Sequence, residues 1–260
     1  MTAAITSREN ERIKYTAKLL GKPAFARSEG RFVVQGVKLC LDAAQAGLTP
    51  ETVYFTVKAA AKWPAVTQLD CEKILISEPV SEKLSGQKSP QGVYAVCPMP
   101  SFGLDEINPA GRYLALEEVQ DPANVGAALR SAAAFGFCGV VLTSGCADPF
   151  GQKAMRGSMG AAFKLPIFWT QDLPDLLRRL SGQGMATVAA ALRGAIDLRE
   201  YRYDGGGLIL AIGNEGNGLT EQAIDACAAV VKIPIRGMES LNAAAAAAVL
   251  MWELGGRLDG

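Results

Sequence analysis

The chain has 260 residues, 49% of them hydrophobic, with 26 basic residues against 26 acidic ones and no histidine. That length and apolar share support one large domain or two ordinary ones, each with its own core, and a formal charge of zero speaks against an unspecific polyanion binder. Lack of histidine excludes Ser-His and Cys-His nucleophile pairs, and a zinc site would have to be built from carboxylates and the dispersed thiols Cys40, Cys71, Cys97, Cys138, Cys146 and Cys227, which show no C-x-x-C spacing.

No metal site is therefore expected, and the six cysteines read as reduced, buried thiols. The apolar stretch from Ala243 to Leu250 falls short of the roughly 20 residues that a membrane span needs. Met1 to Arg12 is polar, unlike a secretory signal, so a cytoplasmic protein is expected. The early basic excess has two readings: Arg8, Arg12, Lys14, Lys18, Lys22, Arg27, Arg31 and Lys38 stand against only Glu9, Glu11 and Glu29. It is either a solvated helix face or a surface for RNA.

In chain order, a helix is expected from Ser7 to Leu20, closed by Gly21 and Pro23. Strands follow at Arg31–Gln35, Thr52–Val57, Lys73–Ser77 and Gly92–Cys97, with a helix at Val37–Ala46 ended by Gly47. This alternation predicts a small α/β layer. The Pro- and Gly-rich connection from Pro98 to Gly111 marks a boundary, which divides the chain into residues 1–104 and 105–260. Beyond it, strands are expected at Tyr113–Val119, Gly139–Thr143, Ala186–Ala191, Leu208–Ile212 and Val230–Ile235. Their nearly continuous apolar runs predict a largely parallel sheet covered on both faces. Helices are expected at Asn124–Phe135, Leu173–Leu180, Glu221–Ala228 and Asn242–Leu254. The last is rich in alanine, which suits close approach to another backbone.

Three motifs lie at the ends of these runs. After the first strand comes Asp121-Pro-Ala-Asn124-Val-Gly126, where Asn124 is placed to cap a helix and Arg130 rises among small residues, free to reach a phosphate or carboxylate. After Leu208–Ile212 comes Gly213-Asn-Glu215-Gly-Asn-Gly218. It has neither G-x-G-x-x-G nor P-loop spacing, so a nucleotide-dependent oxidoreductase or phosphotransferase is disfavoured. Its glycines imply positive φ or close approach of another group, with Glu215 at the crest. The third motif, Ile233-Pro234-Ile235 followed by Glu239-Ser240-Leu241-Asn242, leads into the alanine-rich helix. Ser240 or Asn242 can cap that helix, whose first N–H groups suit a polar or anionic ligand.

In this order, N-V-G-x-x-x-R, G-N-E-G-x-G-L and I-P-I with S-L-N resemble the SpoU (TrmH-like) RNA 2′-O-ribose methyltransferases of the SPOUT superfamily. The match runs from Arg112 to Leu254 and takes in Arg156 to Pro166. Ser7, Asn10, Lys14 and Arg31-Phe-Val-Val-Gln-Gly36 are similar to the ribosomal-protein-like substrate-binding domain that many members carry first. The resemblance implies an α/β protein whose largely parallel sheet holds a SPOUT-type trefoil knot, an exception to the rule against threaded chains, preceded by a small α/β RNA-binding domain. It implies S-adenosyl-L-methionine as cofactor, structured RNA as substrate, ribosomal before transfer RNA, and a homodimer that shares its active site. Gly213, Ile233 and Leu241 match positions whose backbone holds the cofactor. Asn124, Arg130, Glu215, Ser240 and Asn242 match the polar active-site set. The alternative is a noncatalytic RNA-binding protein on the same fold.

Overall fold

The structure, a computed structural model, describes residues 4–238 and 240–255. The chain forms two compact units: Met1–Pro100 with Phe150–Met155, and Ser101–Pro149 with Arg156–Gly260.

In the first unit, α1 spans Glu11–Gly21, α2 Pro23–Glu29, β1 Arg31–Gln35, α3 Val37–Gln45, β2 Thr52–Phe55, α4 Val57–Lys62, β3 Glu72–Leu75, α5 Glu78–Ser85 and β4 Val93–Pro98. The sheet runs β1-β4-β2-β3. Strand β4 is antiparallel to both neighbours and β2 is parallel to β3. Ile13, Leu19, Val33, Tyr54, Val80 and Tyr94 belong to its core. The first helix begins at Glu11, not Ser7, because the Asn10 side chain accepts the Arg12 N–H at 3.0 Å and caps it there. Strand β2 stops at Phe55 for a similar reason: Thr56 accepts the Ala59 N–H at 3.2 Å and starts α4.

Much of the early positive charge is paired within this unit. Arg12 meets Glu72 at 2.7 Å, Arg31 meets Glu51 at 2.6 Å, Arg8 meets Glu82 at 3.5 Å and Lys14 meets Glu11 at 3.0 Å. Three of these carboxylates, Glu51, Glu72 and Glu82, lie beyond the basic run in the sequence. The segment from Phe150 joins this unit by a ring contact of Phe150 with Phe32 at 4.6 Å and a bond from Gln152 Nε2 to the Val33 carbonyl at 2.9 Å.

The second unit contains β5 Arg112–Leu116, α6 Pro122–Ala134, β6 Gly139–Thr143, the end of α7 (α7 is Gln152–Ser158, its residues up to Met155 belonging to the first unit), β7 Ile167–Thr170, α8 Leu173–Gly182, β8 Ala186–Ala190, β9 Ile196–Asp197, β10 Leu208–Ile212, α9 Glu221–Asp225, β11 Ala229–Lys232 and α10 Ala243–Leu254. Every strand pairing is parallel, in the order β7-β6-β5-β10-β8-β11-β9. All five residues of β6 and of β10 are buried, as continuous apolar runs require when both faces are covered. Helices α8 and α9 pack on one core, which includes Leu173, Leu177, Ile209 and Ala223. Helix α10 packs against α6 and β10.

Several boundaries differ from the sequence expectation. Helix α6 starts at Pro122 with Asp121 as its cap, so Asn124 lies inside the helix rather than at its start. Arg130 consequently falls in the helix's second half. Strand β11 ends at Lys232, before Pro234, which has no N–H to give a ladder. Helix α9 is only five residues long. Strands β7 and β9 lie outside the expected elements, and of the six cysteines Cys138 is exposed and Cys71 and Cys227 are half-buried rather than buried.

The strand order places a topological switch at the centre. From β5 the chain winds outward through β6 and β7, then β8, β10 and β11 fill the other half, so β5 and β10 are neighbours leading into opposite halves. A crevice outside the carboxyl ends of such strands is where open parallel sheets take ligands.

Candidate active site

Residues Glu117–Asp121 leave β5 and Gly213–Gly218 leave β10, and side chains tie the two loops together. Buried Glu117 accepts the Thr220 N–H at 2.7 Å and its hydroxyl at 2.9 Å. Asn214 Nδ2 donates to the Glu118 carbonyl at 2.8 Å, while its Oδ1 accepts the N–H groups of Gly216 at 2.7 Å and Asn217 at 3.2 Å. Glu118 is held at φ 57°, which is uncommon for a residue with a side chain. The Thr143 hydroxyl stabilises it, accepting the Glu118 N–H at 2.9 Å and lying 3.1 Å from Glu118 Oε1.

The glycines divide the work that their spacing suggested. Gly218 takes a positive φ of 70°, whereas Gly213 is needed for space: a Cβ there would lie 2.1 Å from the Gly218 carbonyl carbon. Two bonds between Asn214 and Gly218, at 3.1 and 2.9 Å, close this tight loop.

Beside the loop is a cavity of about 490 Å³, lined by Gly213, Glu215, Ile233, Ser240 and Leu241 among others. Its size falls in the range of about 300–1,000 Å³ usual for small-molecule pockets. Apolar walls from Leu219, Ile224, Val231 and Leu250 stand beside bare main chain at Gly213, Gly216 and Gly218. This combination fits a ligand with a flat apolar part and polar edges, as the adenosyl group of S-adenosylmethionine is.

Asn124 and Asn242 do not line the cavity, yet both reach it through Glu215. The Asn124 Nδ2 donates to Glu215 Oε1, and Asn242 Nδ2 donates to Asn124 Oδ1 at 2.7 Å. Asn242 Oδ1 meanwhile caps α10 by accepting the N–H groups of Ala244 at 2.9 Å and Ala245 at 3.2 Å. One run of side-chain hydrogen bonds, from amide to amide to carboxylate, thus joins the three motifs. Arg130 stands apart, exposed on α6, and pairs with none of the described residues. Glu239 lies outside the described residues.

Sequence reasoning gave no role to Asn214, Glu117 or Thr220. An Asn two residues before Gly is a signal for the Asx turn that Asn214 makes, and Thr before Glu-Gln marks a helix cap. The Glu117–Thr220 link spans 103 residues and has no local signal. Burial pushes the Cys97 and Cys227 thiols up to about 12 and also raises those of Cys40, Cys71 and Cys146. None of these five is a ready thiolate nucleophile.

Comparison with known proteins agrees with this architecture. Residues 111–252 match the model of the SpoU rRNA Methylase family, and residues 10–95 match an MRM3-like substrate binding domain. The chain is 30% identical over 254 residues, 97% of its length and 99% of the relative's, to the 23S rRNA (guanosine(2553)-2′-O)-methyltransferase of Bacillus subtilis. It is also 30% identical to the 23S rRNA (uridine(2479)-2′-O)-methyltransferase of Streptomyces viridochromogenes, covering 96% of this chain and 90% of that one. The crystal structure of an AdoMet-bound rRNA methyltransferase from Sinorhizobium meliloti superposes with a TM-score of 0.87 at 27% identity, covering 97% of each chain. Three motifs joined by one run of side-chain hydrogen bonds, a parallel sheet and a family match over most of the second unit lead to one conclusion: the chain belongs to the SpoU rRNA methylase family.

Proposed function

We propose that this S-adenosylmethionine-dependent RNA 2′-O-ribose methyltransferase acts on ribosomal RNA in the cytoplasm, with residues 1–104 binding the RNA and residues 105–260 carrying the chemistry. The observation that carries the proposal is the Asn242–Asn124–Glu215 run of hydrogen bonds at the wall of the cavity. The relatives' names, both 23S rRNA methyltransferases, support the choice of RNA.

Main chain at Gly213, Ile233 and Leu241 would hold the cofactor, which supplies a methyl group on a positively charged sulfur. The protein's tasks are to align a ribose hydroxyl with that methyl group and to stabilise the negative charge that develops on the hydroxyl oxygen. Glu215 is the one carboxylate in the run; Asn124 fixes it, and Asn242 fixes Asn124. Ser240 adds a hydroxyl at the cavity wall. Arg130 grips the neighbouring phosphate and steadies the developing alkoxide. It does not act as a base, since guanidinium stays protonated.

Because Arg130 neither lines the cavity nor bonds to the Asn242–Asn124–Glu215 run of its own chain, we assign it to the site of a partner subunit in a homodimer. Exposed apolar groups on α10 support such an interface: Trp252 is 64% exposed and Val249 42%, and Trp252 lies 5.8 Å from Phe135, next to α6. A contiguous apolar surface of this kind suits an isologous twofold contact. The SPOUT-type trefoil knot belongs to the same proposal and rests on family membership.

Two outcomes test it. Mapping ribose methylation in RNA from cells with and without the protein should reveal one 23S site that disappears; an unchanged ribosomal map would refute the substrate. Asn124→Ala should cost about 1–3 kcal/mol of stability, from hydrogen bonds lost at a nearly buried position, and should lower kcat more than cofactor affinity. Parental kcat in the folded variant would remove Asn124 from the mechanism.

A further inference from the structure

Four charged side chains line the 490 Å³ cavity: Arg193, Glu215, Glu221 and Lys232. Glu215 is held by Asn124. Arg193 and Glu221 form the one close ion pair among the four within the described residues, with Arg193 Nη1 at 3.1 Å from Oε1 and 3.2 Å from Oε2 of Glu221. Arg193 follows β8 and Glu221 opens α9. Both side chains are largely exposed, at 84% and 65%, so the pair sits at the cavity's rim rather than in its wall. A solvent-exposed pair adds little to stability.

We propose that Arg193 and Glu221 hold the amino-acid end of the cofactor, Arg193 taking its α-carboxylate and Glu221 its α-ammonium. This rests on the cavity being the cofactor's site. S-Adenosylmethionine carries an anion and a cation on one carbon atom, so whatever binds that end through charge needs a cation and an anion side by side. Arg193 and Glu221 supply this. Lys232 is paired in register with Asp197, whose carboxyl Arg199 and, more weakly, Lys232 hold below its usual range, rather than with an anion of the cavity, and Glu215 is committed to Asn124. Arginine adds a planar fork that matches a carboxylate in two places. Exchanging the Arg193–Glu221 pair for two ligand pairs also leaves no charge alone. The apolar walls then remain for the adenine, and the polar end lies toward solvent.

Calorimetric titration of the full-length protein tests this with two ligands: S-adenosylhomocysteine, and 5′-methylthioadenosine, which keeps the nucleoside and sulfur but lacks the amino-acid end. Arg193→Ala and Glu221→Gln should each weaken S-adenosylhomocysteine by about tenfold and leave 5′-methylthioadenosine within about twofold. Retained binding of the second ligand also reports that each variant is folded. Equal weakening of both ligands, as contacts to the ribose would give, overturns the assignment, and so does no weakening of either. If the unaltered protein binds neither ligand, the cavity is not the cofactor's and the underlying reading fails with the assignment.

Discussion

Gly213→Ala is expected to bind S-adenosylhomocysteine about 5- to 150-fold more weakly than the parent, the effect of about 1–3 kcal/mol of overpacking. The added methyl would meet the Gly218 carbonyl carbon and the Leu219 nitrogen at 2.1 Å and the Gly218 oxygen at 2.3 Å. These are main-chain atoms, so no rotamer change relieves the clash. The hairpin that Asn214 and Gly218 close with two backbone bonds would have to open, and it carries Glu215 and Gly216, both cavity-lining residues. Strand β10 itself keeps its pairing with β5 and β8, so cooperative unfolding should persist at a lower midpoint. Equal titration curves for parent and Gly213→Ala would contradict this account of the loop.

The parts of the fold that could be read in the sequence are those whose physics is local. Strands β1, β6 and β10 match their expected limits residue for residue, because each is a run of apolar or β-branched residues bounded by turn signals. Gly136, at φ 68°, follows the end of α6, and Asn242 does cap α10. What escaped was set by distant partners. Asn124 has the spacing of a cap, but it turns inward to Glu215 and Asn242, which are 91 and 118 residues away. The basic residues near the start look unopposed until the fold brings Glu51, Glu72 and Glu82 to them. Strand β7 is four residues long and follows a short helical turn, too brief for its alternation to register. Glycine spacing indicated that the loop after β10 was special, yet only coordinates separate a glycine needed for its φ from one needed for room.

Arg130→Ala should lower kcat by about 10²–10³-fold, the usual cost of removing a preorganised donor that faces developing charge, with cofactor affinity close to parental. Arg130 is exposed and pairs with none of the described residues, so its loss should leave stability within about 0.5 kcal/mol. A large loss of rate without a loss of stability separates a functional role from a structural one. Subunit mixing then decides where the guanidinium acts. Arg130→Ala and Asn124→Ala homodimers should both be inactive. If the partner subunit's Arg130 completes each site, a heterodimer of the two variants contains one site with both groups intact and one with neither, and activity returns. If Arg130 serves its own chain's site, every site in the mixture lacks one group and activity stays at background. Recovered turnover in co-purified heterodimers would therefore establish the shared site. Background turnover would place Arg130 in its own subunit.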